Sequence, residues 1–205
     1  MRNILKIAGL LAVGLATVAA TNYQPRVNGW NVDGAHTAIS FSVRHFFTPV
    51  NGTFSDYEID LNFDAENPEN TTFAVKVAVA SVSTGVEKRD NHLRSADWFE
   101  TDKYPYMTFK STSVKRVGVN EFLAVGDLTI KDMTQQVELP ITVLGIKDIP
   151  DPMQEMLGGV RRVASFEGSS EIDRRDFEVG VGTWAETVIV SPEVAIEIVV
   201  EANLK

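Results

Sequence analysis

Three histidines, His36, His45 and His92, are the side chains of this 205-residue chain best suited to bind a metal or move a proton near neutral pH. His36 and His45 stand nine apart beside an alternating stretch, an odd spacing that turns two side chains of an unbulged strand to opposite faces. His92 has no second histidine or obvious carboxylate ligand three or four residues on, and there is no HExxH motif or three-histidine cluster. No metal site is therefore expected. The chain has no cysteine, so disulfides, thiolate metal sites and thiol nucleophiles are excluded. It shows no GxSxG elbow, Walker loop or GxGxxG, and no carboxylate pair set in an apolar context that would tune one for acid catalysis. These residues read as a binding protein that is not an enzyme and needs no cofactor. Lysine and arginine total 19 against 28 acidic residues, a net charge of -9, which disfavours nucleic acid as a partner.

Two cationic or titratable positions stand apart because of what surrounds them. From Glu87 to Phe99 the residues Val86, Arg89, Leu93 and Ala96 recur at helical spacing, and Thr84 with Glu87 has capping-box spacing, which predicts one short helix. Arg89 shares the face of Leu93 and Ala96 and so turns toward the sheet, where its guanidinium needs an acceptor. That acceptor is either an internal carboxylate such as Asp173 or Asp176, or the polar head of a ligand. Asp90 and Arg94 form an ordinary i, i+4 pair. His45 continues the apolar stripe of Ile39, Phe41 and Val43, which makes it either a hydrogen-bonded core histidine or a polar group at the end of a lumen.

The elements that must position these groups are strands. Ile39, Phe41 and Val43 alternate with Ser40, Ser42 and Arg44, Tyr57, Ile59 and Leu61 with Glu58, Asp60 and Asn62, and Phe73, Val75 and Val77 with Ala74, Lys76 and Ala78. Pro49 to Gly52 reads as a turn between the first two. Further strands are predicted around Met107 and Phe109, at Phe122 to Ile130, Val137 to Val143, Val160 to Ile172 and Val194 to Val200. Such long consecutive hairpins hide their edges best in a closed antiparallel barrel. The segment Ile149 to Gly159 is too long for a tight hairpin. Met153, Met156 and Leu157 give it an apolar side suited either to docking on the barrel rim or to covering an opening.

The first twenty residues read differently. Arg2 and Lys6 precede an apolar run, Ile7 to Ala20, with Val18 and Ala20 at the -3 and -1 positions of a cleavage site. This is the pattern of a secretory signal peptide, and the run is shorter than the roughly 20 residues of a spanning helix. The expected organisation is a signal peptide over 1–20 and one domain over 21–205.

Several short blocks carry a family resemblance: Trp30-Asn-Val-Asp33, His36-Thr37, Phe41-Ser-Val-Arg-His45, Gly52-Thr-Phe54, Arg89-Asp-Asn-His-Leu93 with Asp97-Trp-Phe99 and Tyr104-Pro105, Gly126-Asp-Leu-Thr-Ile-Lys131 and Arg175-Asp-Phe177. Together they resemble the YceI-like family of bacterial lipid-binding, or polyisoprenoid-binding, proteins. Thr37 stands where that family usually has Ser, Trp98 where it often has Phe, and Asp132-Met133 where Gly-Val is common. The resemblance implies an all-β, extended eight-stranded antiparallel lipocalin-like barrel with one short helix, secreted to the periplasm. It further implies that the barrel holds an isoprenoid-chain amphiphile, a polyprenyl phosphate or a quinone; the alternative, given such cargo, is a quinone- or lipid-linked redox accessory or enzyme with His45 or His92 as proton donor. The tail would lie against Ile39, Phe41, Val43, Tyr57, Ile59, Leu61, Phe73, Val75 and Val77, and the head near His45, Arg89 and His92. Transient membrane contact goes with such cargo. Whether the lumen is hollow and whether the chain pairs as a homodimer stay open.

Overall fold

The computed structural model describes residues 29–185 and 188–205, so the expected signal peptide lies outside the described residues. Eleven strands run in chain order: β1 Asn31–Val32, β2 Ala38–His45, β3 Thr48–Phe54, β4 Tyr57–Asn62, β5 Thr72–Ala78, β6 Val82–Ser83, β7 Tyr106–Arg116, β8 Glu121–Ile130, β9 Met133–Asp148, β10 Arg162–Asp173 and β11 Val190–Leu204. All pairings are antiparallel, in the order β4-β5-β7-β8-β9-β10-β11-β2-β3-β6, with β1 against β11. The expected all-β barrel is the architecture formed. The sheet curls until β4 approaches β1 and β2, and side chains bridge the seam. The Trp30 indole N–H donates to the Phe63 carbonyl at 3.2 Å, and the Tyr57 hydroxyl donates to the Thr37 carbonyl at 2.6 Å.

Period-two patterning decides which face looks inward. Ala164, Phe166, Gly168, Ser170 and Ile172 of β10 all point the same way, and Ala164 and Phe166 are buried. One end of the barrel is filled by Trp30, Phe63, Phe122, Phe166 and the small Ala124, Ala164 and Ala202. There the Phe63 ring meets Phe166 edge-on at 4.8 Å and Phe122 at 6.0 Å, arrangements that aromatic quadrupoles favour. The other end is capped by helix α1, Glu87–Arg94, and by the turns around Trp98 and Phe177.

Three local expectations are corrected. Thr48–Phe54 is a strand, and the turn sits at Phe46–Phe47, with Phe46 at φ 52°. Pro49 fits because β3 pairs with β6 only at Thr53 and Phe54, so the N–H it lacks would face an open edge. Gly52 lies opposite Phe41, and the Phe41 ring covers it so closely that a Cβ there would sit 2.3 Å from Phe41 Cζ. The capping box does not form: the helix N-cap is Val86, and Thr84 instead donates its backbone N–H and hydroxyl to the Asp90 carboxylate at 2.8 and 2.5 Å. Asp90 is thereby buried and unavailable to Arg94, which donates to the Ala80 and Val82 carbonyls, both at 2.7 Å.

Candidate functional site

Inside the barrel three apolar cavities lie in a row, of about 70, 80 and 100 Å³. The first is walled by Ile59, Leu61, Phe73, Phe122, Phe166 and Val200, among others. It shares Val75, Leu139 and Ile198 with the middle cavity, which shares Ile39, Met107, Ile130, Ile172 and Ile196 with the one beneath α1. That last cavity is walled also by Phe41, Val43, Phe54, Leu93, Trp98 and Arg174. Their shared walls make them neighbouring compartments of the barrel interior, with Met107, Leu139 and the isoleucines between them.

Of the nine residues read from the sequence as the tail-facing surface, Ile39, Phe41, Val43, Ile59, Leu61, Phe73, Val75 and Val77 wall these cavities. Tyr57 does not. It packs against the Ile39–Phe54 cluster, with its hydroxyl engaged at the seam. Burial raises its pKa above the ordinary phenol value.

The three residues expected at the head group are placed otherwise. His45 is exposed at the end of β2, its ring 4.8 Å from that of Phe46, and it is not a buried core histidine. Arg89 is half-buried and bonds neither Asp173 nor Asp176: its Nε donates to the Thr84 hydroxyl at 2.7 Å and its Nη2 to the Thr84 carbonyl at 3.1 Å. A side chain five residues away on the same loop satisfies it more readily than one across the barrel. His92 pairs with Asp97 at 3.0 Å and packs its ring edge-on to Trp98 and Trp184. That bond, and a further one from Trp184, hold the Asp97 carboxyl below its ordinary pKa. None of the three walls any of these three cavities.

The residue found in their place is Arg174, 3% exposed and on the wall of the cavity beneath α1. Its Nε donates to the Ser191 carbonyl at 3.0 Å, Nη1 to Val179 at 2.9 Å and Gly180 at 2.5 Å, and Nη2 to Trp184 at 2.7 Å and Val190 at 3.2 Å. Those are five donors and five carbonyls. Desolvation pushes its pKa below the ordinary arginine value, and neighbouring Arg175 pushes the same way. Asp173 is engaged by Arg175 instead, and no carboxylate pairs with Arg174 among the described residues. The signal was present in the sequence: Arg174 follows Ile172 by two, so alternation turns it inward while Arg175 faces out.

Trp98 stands beside it, 7% exposed, with the Arg174 guanidinium 5.3 Å from its ring. Its Nε1 is buried and has no hydrogen-bond partner among the described residues. An N–H left so costs about 1–3 kcal/mol relative to a bonded one.

On the outer surface His36 lies 3.0 Å from Asp33 and 3.7 Å from Glu201. The three come together because β1 pairs with β11. The hydrogen bond His36 gives to the Asp33 carboxylate raises the His36 pKa, with Glu201 adding to it, and the same bond lowers that of Asp33. His36 is largely exposed, as in an ordinary surface ion pair. The segment Ile149 to Gly159 contains the short helix α2, Asp151–Gln154. It leaves Met153, Met156 and Leu157 exposed, and none of its residues walls the three cavities described above.

The profile of the YceI-like domain matches residues 30–202, the whole barrel. The chain belongs to the YceI-like family. The UPF0312 protein plu2095 of Photorhabdus laumondii is 36% identical over 171 residues, 83% of this chain and 82% of that protein. Among solved structures, Burkholderia cenocepacia BcnA superimposes with a TM-score of 0.73 at 27% identity, covering 83% of this YceI-like chain and 99% of BcnA. A polyisoprenoid binding domain from Saccharophagus degradans gives 0.62 at 13% identity, covering 87% and 99%, and so shares the fold.

Proposed function

We propose that this YceI-like protein is a non-catalytic carrier that holds an isoprenoid-chain amphiphile, a polyprenyl phosphate or a quinone, in its barrel. The observation that carries this reading is the row of three apolar cavities sharing their walls along the lumen. A slender hydrocarbon suits such a row, since each CH₂ moved out of water contributes about 0.8 kcal/mol without any polar contact. The polyisoprenoid-binding domain of the same fold agrees with that choice of cargo. The positions of His45 and His92 away from the cavity walls speak against proton transfer to bound cargo. The pattern of residues 1–20 supports export to the periplasm.

Cargo of this kind is exchanged with membranes, and one end of the barrel offers a surface for it. Phe46 and Phe47 at the β2–β3 turn and Val188 and Ile189 before β11 are exposed, Phe47 by 90%. The Phe46 N–H donates to the Ile189 carbonyl at 2.7 Å, joining the two loops. Arg44, the residue after cavity-lining Val43, lies beside them and donates to the Phe47 carbonyl at 3.4 Å. Apolar side chains next to a cation suit a bilayer surface.

Native mass spectrometry of the protein purified from a bacterial periplasm, with extraction of bound lipid, tests the reading. A stoichiometric isoprenoid is expected. Val75→Asp should lose uptake of added polyprenyl lipid at least about tenfold, because a carboxylate on an apolar wall has no partner. Phe47→Ser should keep the affinity but slow transfer from vesicles. A protein that carries nothing and takes up no added lipid would overturn the proposal.

A further inference from the structure

The histidine spacing argues against an ion shared between two histidines, but one imidazole suffices if carboxylates reach it from elsewhere in the chain. Among the described residues His36 is the histidine that meets two, Asp33 and Glu201, with its Nδ1 at 3.0 Å from Asp33 Oδ2 and 3.7 Å from Glu201 Oε1. Both carboxylates are fixed from behind. Asp33 is the N-cap of the 3-10 turn Gly34–His36, where its other oxygen, Oδ1, accepts from the Ala35 N–H at 2.9 Å. The other oxygen of Glu201, Oε2, accepts from the Ser165 hydroxyl at 3.4 Å. Each carboxylate thus spends one oxygen on a neighbour and turns the second to the same imidazole nitrogen. Their main chains are tied as well: the Asp33 N–H donates to the Glu201 carbonyl at 2.8 Å, and the Glu201 N–H to Thr37 Oγ1 at 3.2 Å. Only about a third of either side chain, 31% and 32%, meets solvent, unlike freely rotating surface acids.

We propose that Asp33 Oδ2, His36 Nδ1 and Glu201 Oε1 form a binding site for a divalent transition ion of the zinc class, with water completing the shell. Free of an ion, the three form the surface pair described above. The geometry suits this ion class, because two ligands at about 2.1 Å on a tetrahedral ion stand about 3.4 Å apart. The two distances to His36 Nδ1 bracket that value, and the three ligand atoms all lie within 4.8 Å of one another, a gap that a small rotation of the Glu201 side chain closes. An imidazole nitrogen in the set favours zinc, copper or nickel over calcium and magnesium, which take oxygen shells. The outward hydrogen bonds from Ala35 and Ser165 are the kind that orient metal ligands. A bound ion would clamp the start of the domain to β11, next to Trp30, which closes the barrel seam on Phe63. The site lies outside the barrel and is independent of what the interior carries.

Zinc chloride titrated calorimetrically into the full-length protein, in buffer stripped of other metals, tests the site. One equivalent should bind. His36→Asn and Glu201→Gln should each weaken that affinity by at least about tenfold, since each removes one of three protein ligands. Calcium should bind far more weakly than zinc. His45→Gln and His92→Gln, which lie away from the site, should bind zinc as the unaltered protein does. In the unaltered protein, ¹H–¹⁵N spectra of the imidazoles should show the His36 ring nitrogens moving with zinc while those of His45 and His92 stay put, a measurement that depends on no variant folding. Zinc bound equally well by His36→Asn, or not bound at all by the unaltered protein, would refute the site. A loss at His36→Asn with none at Glu201→Gln would mean an ion held by Asp33 and His36 alone, and the three-ligand site would fall.

Discussion

Replacing Arg174 with methionine separates a structural cation from a surface one. The Arg174 guanidinium joins β10 to the loop carrying Val179, Gly180 and Trp184 and to the start of β11, through five hydrogen bonds to carbonyls. Methionine fills much of the slot but donates nothing, leaving five largely buried acceptors. At the low end of about 1 kcal/mol per stranded acceptor the sum approaches 5 kcal/mol. Against it stands the desolvation cost of burying the cation, which the variant no longer bears. A net loss of about 3–5 kcal/mol is therefore expected, or a fall in Tm of roughly 10–15 °C for a domain of this size. Urea unfolding followed by circular dichroism measures it. Arg174→Lys, with the charge but only three donors, should fall between. Arg175→Met is the internal control: its neighbour is half-exposed and holds only Asp173, so Tm should move by no more than about 1–2 °C. Equal effects at the two adjacent arginines, or a loss at Arg174 below about 1 kcal/mol, would refute the accounting.

Two further perturbations follow from the packing and the ionisation. Gly52→Ala should cost about 1–3 kcal/mol in urea unfolding, because its methyl meets the Phe41 ring at 2.3 Å and must push it into the cavity it walls; an unchanged midpoint would contradict the close approach. The Asp33–His36 pair should make stability depend weakly on pH. His36, with its pKa raised, contributes fully below its ordinary value of about 6.5 and loses that contribution as pH rises through the folded value. Asp33, with its pKa lowered, contributes above about 3.8 and loses it as pH falls through the folded value. The stability difference between the unaltered protein and His36→Asn should thus be greatest between about pH 4 and 6.5. A difference that stays flat from pH 3 to 9 would show that the pair contributes nothing.

Much of the barrel was legible in the chain because the strand period is two and one face is buried. Ile39, Phe41 and Val43, or Ile59 and Leu61, could face inward together only in a β-strand, and they do. The same alternation, carried two residues past Ile172, would have exposed Arg174 as an inward cation. The failures share a cause. Pro49 and Gly52 are turn formers by propensity, but Gly52 is a strand residue because Phe41 on the neighbouring strand needs the space above it. Arg89 lies on the expected helical face yet bonds Thr84, since the nearer acceptor is taken once the loop before the helix folds back onto Asp90.

What the sequence determined by itself is therefore the period, the sidedness and the apolar character of the lumen, all of which depend on neighbours within a few residues. The tertiary structure decided which polar groups meet. Glu201 reaches His36 only through the β1–β11 ladder, and Arg174 meets five carbonyls only where β10, the loop after it and β11 converge. Hydrogen bonds are short and directional, so their partners depend on long-range register. Burial of apolar area is not directional, and a local pattern suffices to announce it.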